Sequence, residues 1–384
     1  MKYLTPFIIV ALSASSFVYA KPPKDSLTNK GVTPYEIKYT SALGVDSNPY
    51  RFSDRYQKNE GEYLQQTLSV TFSLSDYWSS KFAVKDIQYQ HASNWADSQK
   101  RLAVLAYGKD KKRQENRFNV KYEQLDKTYV SRLSGGLSRY SGAELNDRYN
   151  YQQLTSYWSQ KKAVNRKTDW QYKLEYRIKD YDDFSSISIS NLDYQSFAIG
   201  NQFHHKASKR IQHQVGLNLS QRNYKDKRQK DIKGKDINNT DLNYLDTTLG
   251  YEILWKQNKR HKISVSFDYL LRKDNSTGYY DSHESTLRLT SKYRLNTKAS
   301  FSAQYQYVDF SYERPTVPSS DPTTEDYSSH QQHRIKLGNR INLKAYLPLN
   351  AQLLINYQYV NENSDKSQYS YERHIVETGL RFKF

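Results

Sequence analysis

Apolar side chains recur at every second position through most of the chain. Ile263, Val265, Phe267, Tyr269 and Leu271 alternate with Ser264, Ser266, Asp268. Successive side chains of an extended strand point to opposite faces, so such a series describes a ribbon with one apolar and one polar side. Leu68, Val70, Phe72 and Leu74 follow the same rule against Ser69, Thr71 and Ser73, as do Trp170, Tyr172, Leu174, Tyr176 and Ile178 against Gln171, Lys173, Glu175 and Arg177. Leu353, Ile355, Tyr357 and Tyr359 repeat it against Gln352, Asn356 and Gln358 near the end. Helical periodicity is absent over any comparable length.

A water-soluble sandwich would also alternate, but three features point elsewhere. The ribbons run about 10 to 15 residues, whereas strands of soluble sheets cluster near five or six. Trp170, Trp255, Tyr269, Tyr293 and Tyr359 sit near the ends of the apolar series, as in the aromatic girdles of membrane barrels. Short links (Ala207-Ser208, Gln257 to Arg260, Asn296-Thr297, Pro348-Leu349-Asn350) alternate with long polar ones at 224–240 and 313–329. The expected fold is therefore all-β, a transmembrane antiparallel up-and-down barrel. Hydrocarbon offers no partner for an unpaired backbone group, so the sheet must close on itself, apolar side to lipid and polar side to the bore.

Composition fits that inversion. Of 384 residues only 36% are hydrophobic, yet 14% are aromatic, and there is no Cys. Mean hydropathy is −0.94. Ordinary packed cores need more apolar residues, and disordered chains have fewer aromatics. The absence of Cys excludes disulfide scaffolds and thiol metal sites. Lys2, the apolar run Phe7 to Leu12 and Val18-Tyr19-Ala20 read as a secretory signal peptide over 1–20. Residues 21–32 then form a short periplasmic segment, and 33–384 the barrel.

Ribbons are counted from 34–46 to 370–384, about seventeen in all, whereas a bacterial single-chain barrel with both ends on one side needs an even number. The doubtful stretch is 99–124, where Leu102-Ala103-Val104-Leu105-Ala106 lacks alternation and the link Lys109 to Gln114 is heavily charged. The expectation is about sixteen strands, with fourteen or eighteen as alternatives.

The chain ends Glu377-Thr378-Gly379-Leu380-Arg381-Phe382-Lys383-Phe384. This resembles the terminal signal strand of Gram-negative outer-membrane barrels. The resemblance implies an outer-membrane location and recognition by the barrel assembly machinery, with Gly379, Phe382 and Phe384 carrying the signal; Phe382 and Phe384 are also simply the lipid face of one more strand. Gly44-Val45-Asp46-Ser47-Asn48-Pro49 is similar to a stretch opening the barrels of surface lipoprotein assembly modifiers and some exopolysaccharide-export proteins, which implies an export role needing a separate partner protein.

The net charge is +18. Polar-face cations include Lys173, Arg177, Arg222, Arg288, Lys292, Arg294, Arg373, Arg381 and Lys383, against Glu175, Glu252, Asp268 and Glu377. A basic bore between low-dielectric walls concentrates anions; alternatively the cations pair with neighbouring acids. Lys225, Lys227, Arg228, Lys230, Lys233 and Lys235 in 224–240 suit either lipopolysaccharide phosphates or a plain solvated loop. Outer-membrane lipid and lipopolysaccharide are the expected surroundings, with no nucleic acid, cofactor or metal; oligomeric state is not legible. The function classes left are a channel for hydrophilic, anionic solutes, an export or assembly pore, and a rim hydrolase drawing on Asp182, Asp183, His283, His330 or His333. His330 and His333 are three apart and point to opposite faces of a strand. The Pro-rich run 314–322 is either a constriction loop or an exposed one.

Overall fold

The computed structural model describes residues 35–49, 51, 60–90, 97–111, 113–127, 149–182, 192–231, 233–313, 329–344, 350–366 and 369–384. The signal segment, residues 21–32, the ribbon expected at 129–141, Asp183 and the Pro-rich run lie outside them.

Sixteen strands form one sheet: β1 (Tyr35–Asp46), β2 (Gly61–Ser73), β3 (Trp78–Gln90), β4 (Ser98–Lys111), β5 (Gln114–Lys127), β6 (Tyr151–Ala163), β7 (Thr168–Tyr181) and β8 (Tyr194–Lys206) in the first half. The second half holds β9 (Ile211–Tyr224), β10 (Asn243–Lys256), β11 (His261–Asp274), β12 (Ser282–Arg294), β13 (Ala299–Tyr312), β14 (His330–Asn342), β15 (Ala351–Ser364) and β16 (Tyr371–Lys383). Each strand pairs antiparallel with its sequence neighbours, and β1 pairs with β16 to close the ring. The stretch 99–124, expected to hold the surplus ribbon, is instead two full strands, β4 and β5. The other sixteen expected ribbons each correspond to a strand, and β5 pairs directly with β6; the ribbon expected at 129–141 is not among the described residues. β4 escaped the alternation rule because Leu102, Val104 and Ala106 register with Glu123, Lys121 and Asn119 and so lie on the polar side.

The apolar series face outward. Leu245, Leu249 and Val376 are more than half exposed and belong to a belt of exposed apolar side chains running over most of the strands, the kind of large apolar surface that marks a membrane or partner contact. Trp170, Trp255, Tyr293 and Phe301 ring the end with short turns. Tyr269, Tyr305, Tyr307, Tyr357 and Tyr359 face out nearer the long loops, where Tyr305 and Tyr357 meet His333 and His374 at 2.9 Å each. Only one cluster of buried apolar side chains stands out among the described residues: Leu242, Tyr244, Tyr279 and Tyr280, under the β9–β10 link. The centre of the barrel is polar.

Closure depends on a narrow seam. Gly379 pairs with Ala42, and a methyl group on it would stand 2.5 Å from both the Ala42 Cβ and the Ser41 carbonyl oxygen. Backbone leaves no room there, so this terminal-strand glycine has a local packing reason of its own. Tyr63 of β2 lies over Gly44 of β1, and its hydroxyl donates to Glu377 at 3.3 Å. Phe382 and Phe384 stack outside the wall with centroids 6.4 Å apart.

Candidate functional site

Strand alternation sends one face of every strand into a common bore, and the pairing register fixes which charges meet there. All nine cations expected on the polar face point into it, but they fall into two groups. Arg177 contacts Glu175 at 2.5 Å. Arg222 lies 3.7 Å from Asp246, which also binds Arg272 at 2.7 Å. Lys383 pairs with Glu36. Lys173, Arg288, Lys292, Arg294 and Arg381 contact no carboxylate among the described residues, and neither do Lys336 and Arg340 of β14, which the sequence reading passed over. These two share the bore with Lys292, whose strand is separated from β14 only by β13, with its neutral Ser302, Gln304 and Gln306.

Arg373 is taken up elsewhere. Its Nε donates to Asp46 at 2.9 Å, and a second nitrogen binds the other carboxylate oxygen. The Tyr89 hydroxyl and the Asn48 backbone N–H also donate to Asp46, at 2.9 and 3.1 Å. The Asn48 amide reaches the Glu372 carbonyl at 3.0 Å, and Ser47 exchanges hydrogen bonds with the His374 backbone at 2.8 and 2.9 Å. Gly44-Val45-Asp46-Ser47-Asn48 is thus a clasp joining the first strand to the last at the long-loop end.

The bore contains several open cavities. One of about 480 Å³ is bounded by Lys85 and Tyr89 of β3 and by Thr290 and Lys292 of β12, on nearly opposite sides of the ring, together with Lys336, Asn356 and Glu377. Another, of about 350 Å³, adjoins Arg288, Lys292, Glu252 and Asp268. Among the described residues the bore presents hydroxyl, amide and ammonium groups, which can stand in for the hydration shell of a polar solute.

The sequence reading also missed a chain of tyrosines at the long-loop mouth. Tyr194, Tyr224, Tyr244 and Tyr280 follow one another with ring centroids 5.6, 5.5 and 5.8 Å apart. Arg222 lies over Tyr194, Arg272 over Tyr244, and Lys227 over Tyr224 and Tyr280, all within 5.5 Å of the ring centres. Lys227, expected in a solvated loop, is therefore held against aromatic faces. The visible signal was tyrosine at polar-face positions near strand ends. His330 stacks on Phe310 inside the wall while His333 faces Tyr305 and Tyr307 outside, so the two do not converge.

No protein-family model and no curated protein matches the chain. Solved structures do. Outer-membrane expressed OmpT of Vibrio cholerae aligns over 92% of this chain and 99% of its own at 10% identity, with a TM-score of 0.42. A bacterial polysaccharide outer membrane secretin aligns over 92% and 100% at 8% identity, TM-score 0.46. An anion-selective porin from Comamonas acidovorans aligns over 92% and 99% at 12% identity, TM-score 0.43. The likeness is one of fold.

Proposed function

We propose that this porin-like barrel lies in a bacterial outer membrane, short turns toward the periplasm, and conducts small hydrophilic solutes with preference for anions. The observation that carries the reading is the run of bore cations on β12, β14 and β16 without carboxylate partners among the described residues: Arg288, Lys292, Arg294, Lys336, Arg340 and Arg381. Fixed positive charge between low-dielectric walls raises the local anion concentration by about 10-fold or more. The export reading drew on Gly44 to Pro49, and the clasp to β16 accounts for Asp46, Ser47 and Asn48 without it. A rim hydrolase is not favoured, because His330 and His333 lie on opposite sides of the wall.

The test is reconstitution of the purified barrel into planar bilayers under a potassium chloride gradient. Stepwise conductance with a reversal potential of the sign set by chloride is expected. Insertion without conductance, or a potential of the sign set by potassium, contradicts the reading.

A further inference from the structure

Carboxylates compensate cations at several places along the bore. Near the long loops Asp46, Asp246 and Glu123 each bind one or two cations. On one side of the short-turn mouth, Glu36 holds Lys38 and Lys383, Asp169 holds Lys161, and Asp110 holds Arg117. The arc of that mouth from the β10–β11 turn round to Arg381 has no such pair among the described residues. A cavity of about 430 Å³ is bounded there by Arg260 and Lys262 at the β10–β11 turn, Lys292 and Arg294 of β12, Arg340 of β14 and Arg381 of β16, and no carboxylate lines it. None of these cations has an acidic partner among the described residues. Arg381 is steadied by a hydrogen bond from its Nε to the Thr40 hydroxyl at 3.3 Å, which leaves its terminal nitrogens for something else. Its other lining includes Ser300, Ser302 and Asn356, all neutral hydrogen-bonding groups.

Like charges gathered in one recess repel, and an anion relieves the repulsion. Four of the six named groups are guanidinium forks, which match phosphate or carboxylate oxygens in pairs. The recess lies in the size range of sites for whole small molecules, about 300 to 1,000 Å³, larger than one phosphate fills. We propose that this recess is a binding site for a multivalent anion, a short chain bearing several phosphate or carboxylate groups, captured at the short-turn mouth before it enters the bore. The proposal rests on the anion-conducting reading and adds the site, the side and the ligand class.

The test uses tripolyphosphate and trigalacturonate as probes, titrated by calorimetry into the detergent-folded barrel and added to single channels from each side in turn. At least one probe is expected to bind about 100-fold more tightly than orthophosphate or galacturonate, respectively, and to block current strongly from one side only. Which probe binds separates phosphate from carboxylate ligands. Arg340→Gln with Arg381→Gln should weaken binding about tenfold or more, while the Arg→Lys pair at the same positions should retain part of it. Lys292→Gln with Arg294→Gln, confined to one interior strand, should weaken it similarly, so an assembly defect from changing β16 does not decide the outcome. A folded barrel that binds neither probe, equal block from both sides, or binding untouched by both Gln pairs overturns the proposal. Site-dependent binding to a barrel that conducts no ions would refute the channel reading and leave this one standing; conduction without binding would do the reverse.

Discussion

Replacing Asp46 with alanine is expected to destabilise the closed barrel by about 3–5 kcal/mol, the usual cost of removing one partner of a buried ion pair. The Asp46 side chain has no exposed surface and that of Arg373 is 13% exposed. Truncation strands the guanidinium together with the Tyr89 hydroxyl and the Asn48 N–H, all of which use this carboxylate. The loss falls on the pairing between the first and last strands, and an unpaired sheet edge has no place in hydrocarbon. The urea midpoint of the folded band on semi-native gels checks this. Asp46→Asn keeps an acceptor but loses the charge, and its midpoint should fall between the two. An alanine variant as resistant as the parent would show that the clasp does not hold the seam.

Reversing the charge of the bore should reverse its preference. Arg288→Glu, Lys292→Glu, Lys336→Glu and Arg340→Glu together place acids on β12 and β14, two bore-facing strands separated only by β13. The anion-to-cation permeability ratio is expected to fall about tenfold or more, and the reversal potential in a salt gradient to change sign. The fold tolerates this because none of the four contacts a carboxylate among the described residues. Unchanged selectivity in a conducting quadruple variant would move the source of selectivity away from these residues.

The architecture was legible because a membrane wall imposes one rule on every strand: apolar out, polar in. That rule located nearly all the strands, the short links at 207–208, 257–260 and 296–297, and the face of each strand on which its cations lie. It failed at β4, where Leu102, Val104 and Ala106 put apolar groups on the bore side and erased the period. It was also silent on pairing. Whether Arg222 of β9 meets Asp246 of β10 and Arg294 meets no acid depends on cross-strand register, which a linear pattern does not carry. The clasp was hidden for a related reason: Asp46 and Arg373 are joined only when the barrel closes, and the likeness seen in Gly44 to Pro49 pointed to export instead of the seam. The recess at the short-turn mouth likewise gathers cations from four separate parts of the chain.

The most direct test of the central claim uses the lack of any native cysteine. Single cysteines are placed in turn at Tyr172, Lys173, Leu174, Glu175, Tyr176 and Arg177 of β7 and exposed, in proteoliposomes, to a charged maleimide that does not enter lipid. The account predicts labelling at 173, 175 and 177 and protection at 172, 174 and 176. Uniform labelling, or labelling of the apolar positions with protection of the charged ones, would contradict a wall with lipid outside and water within.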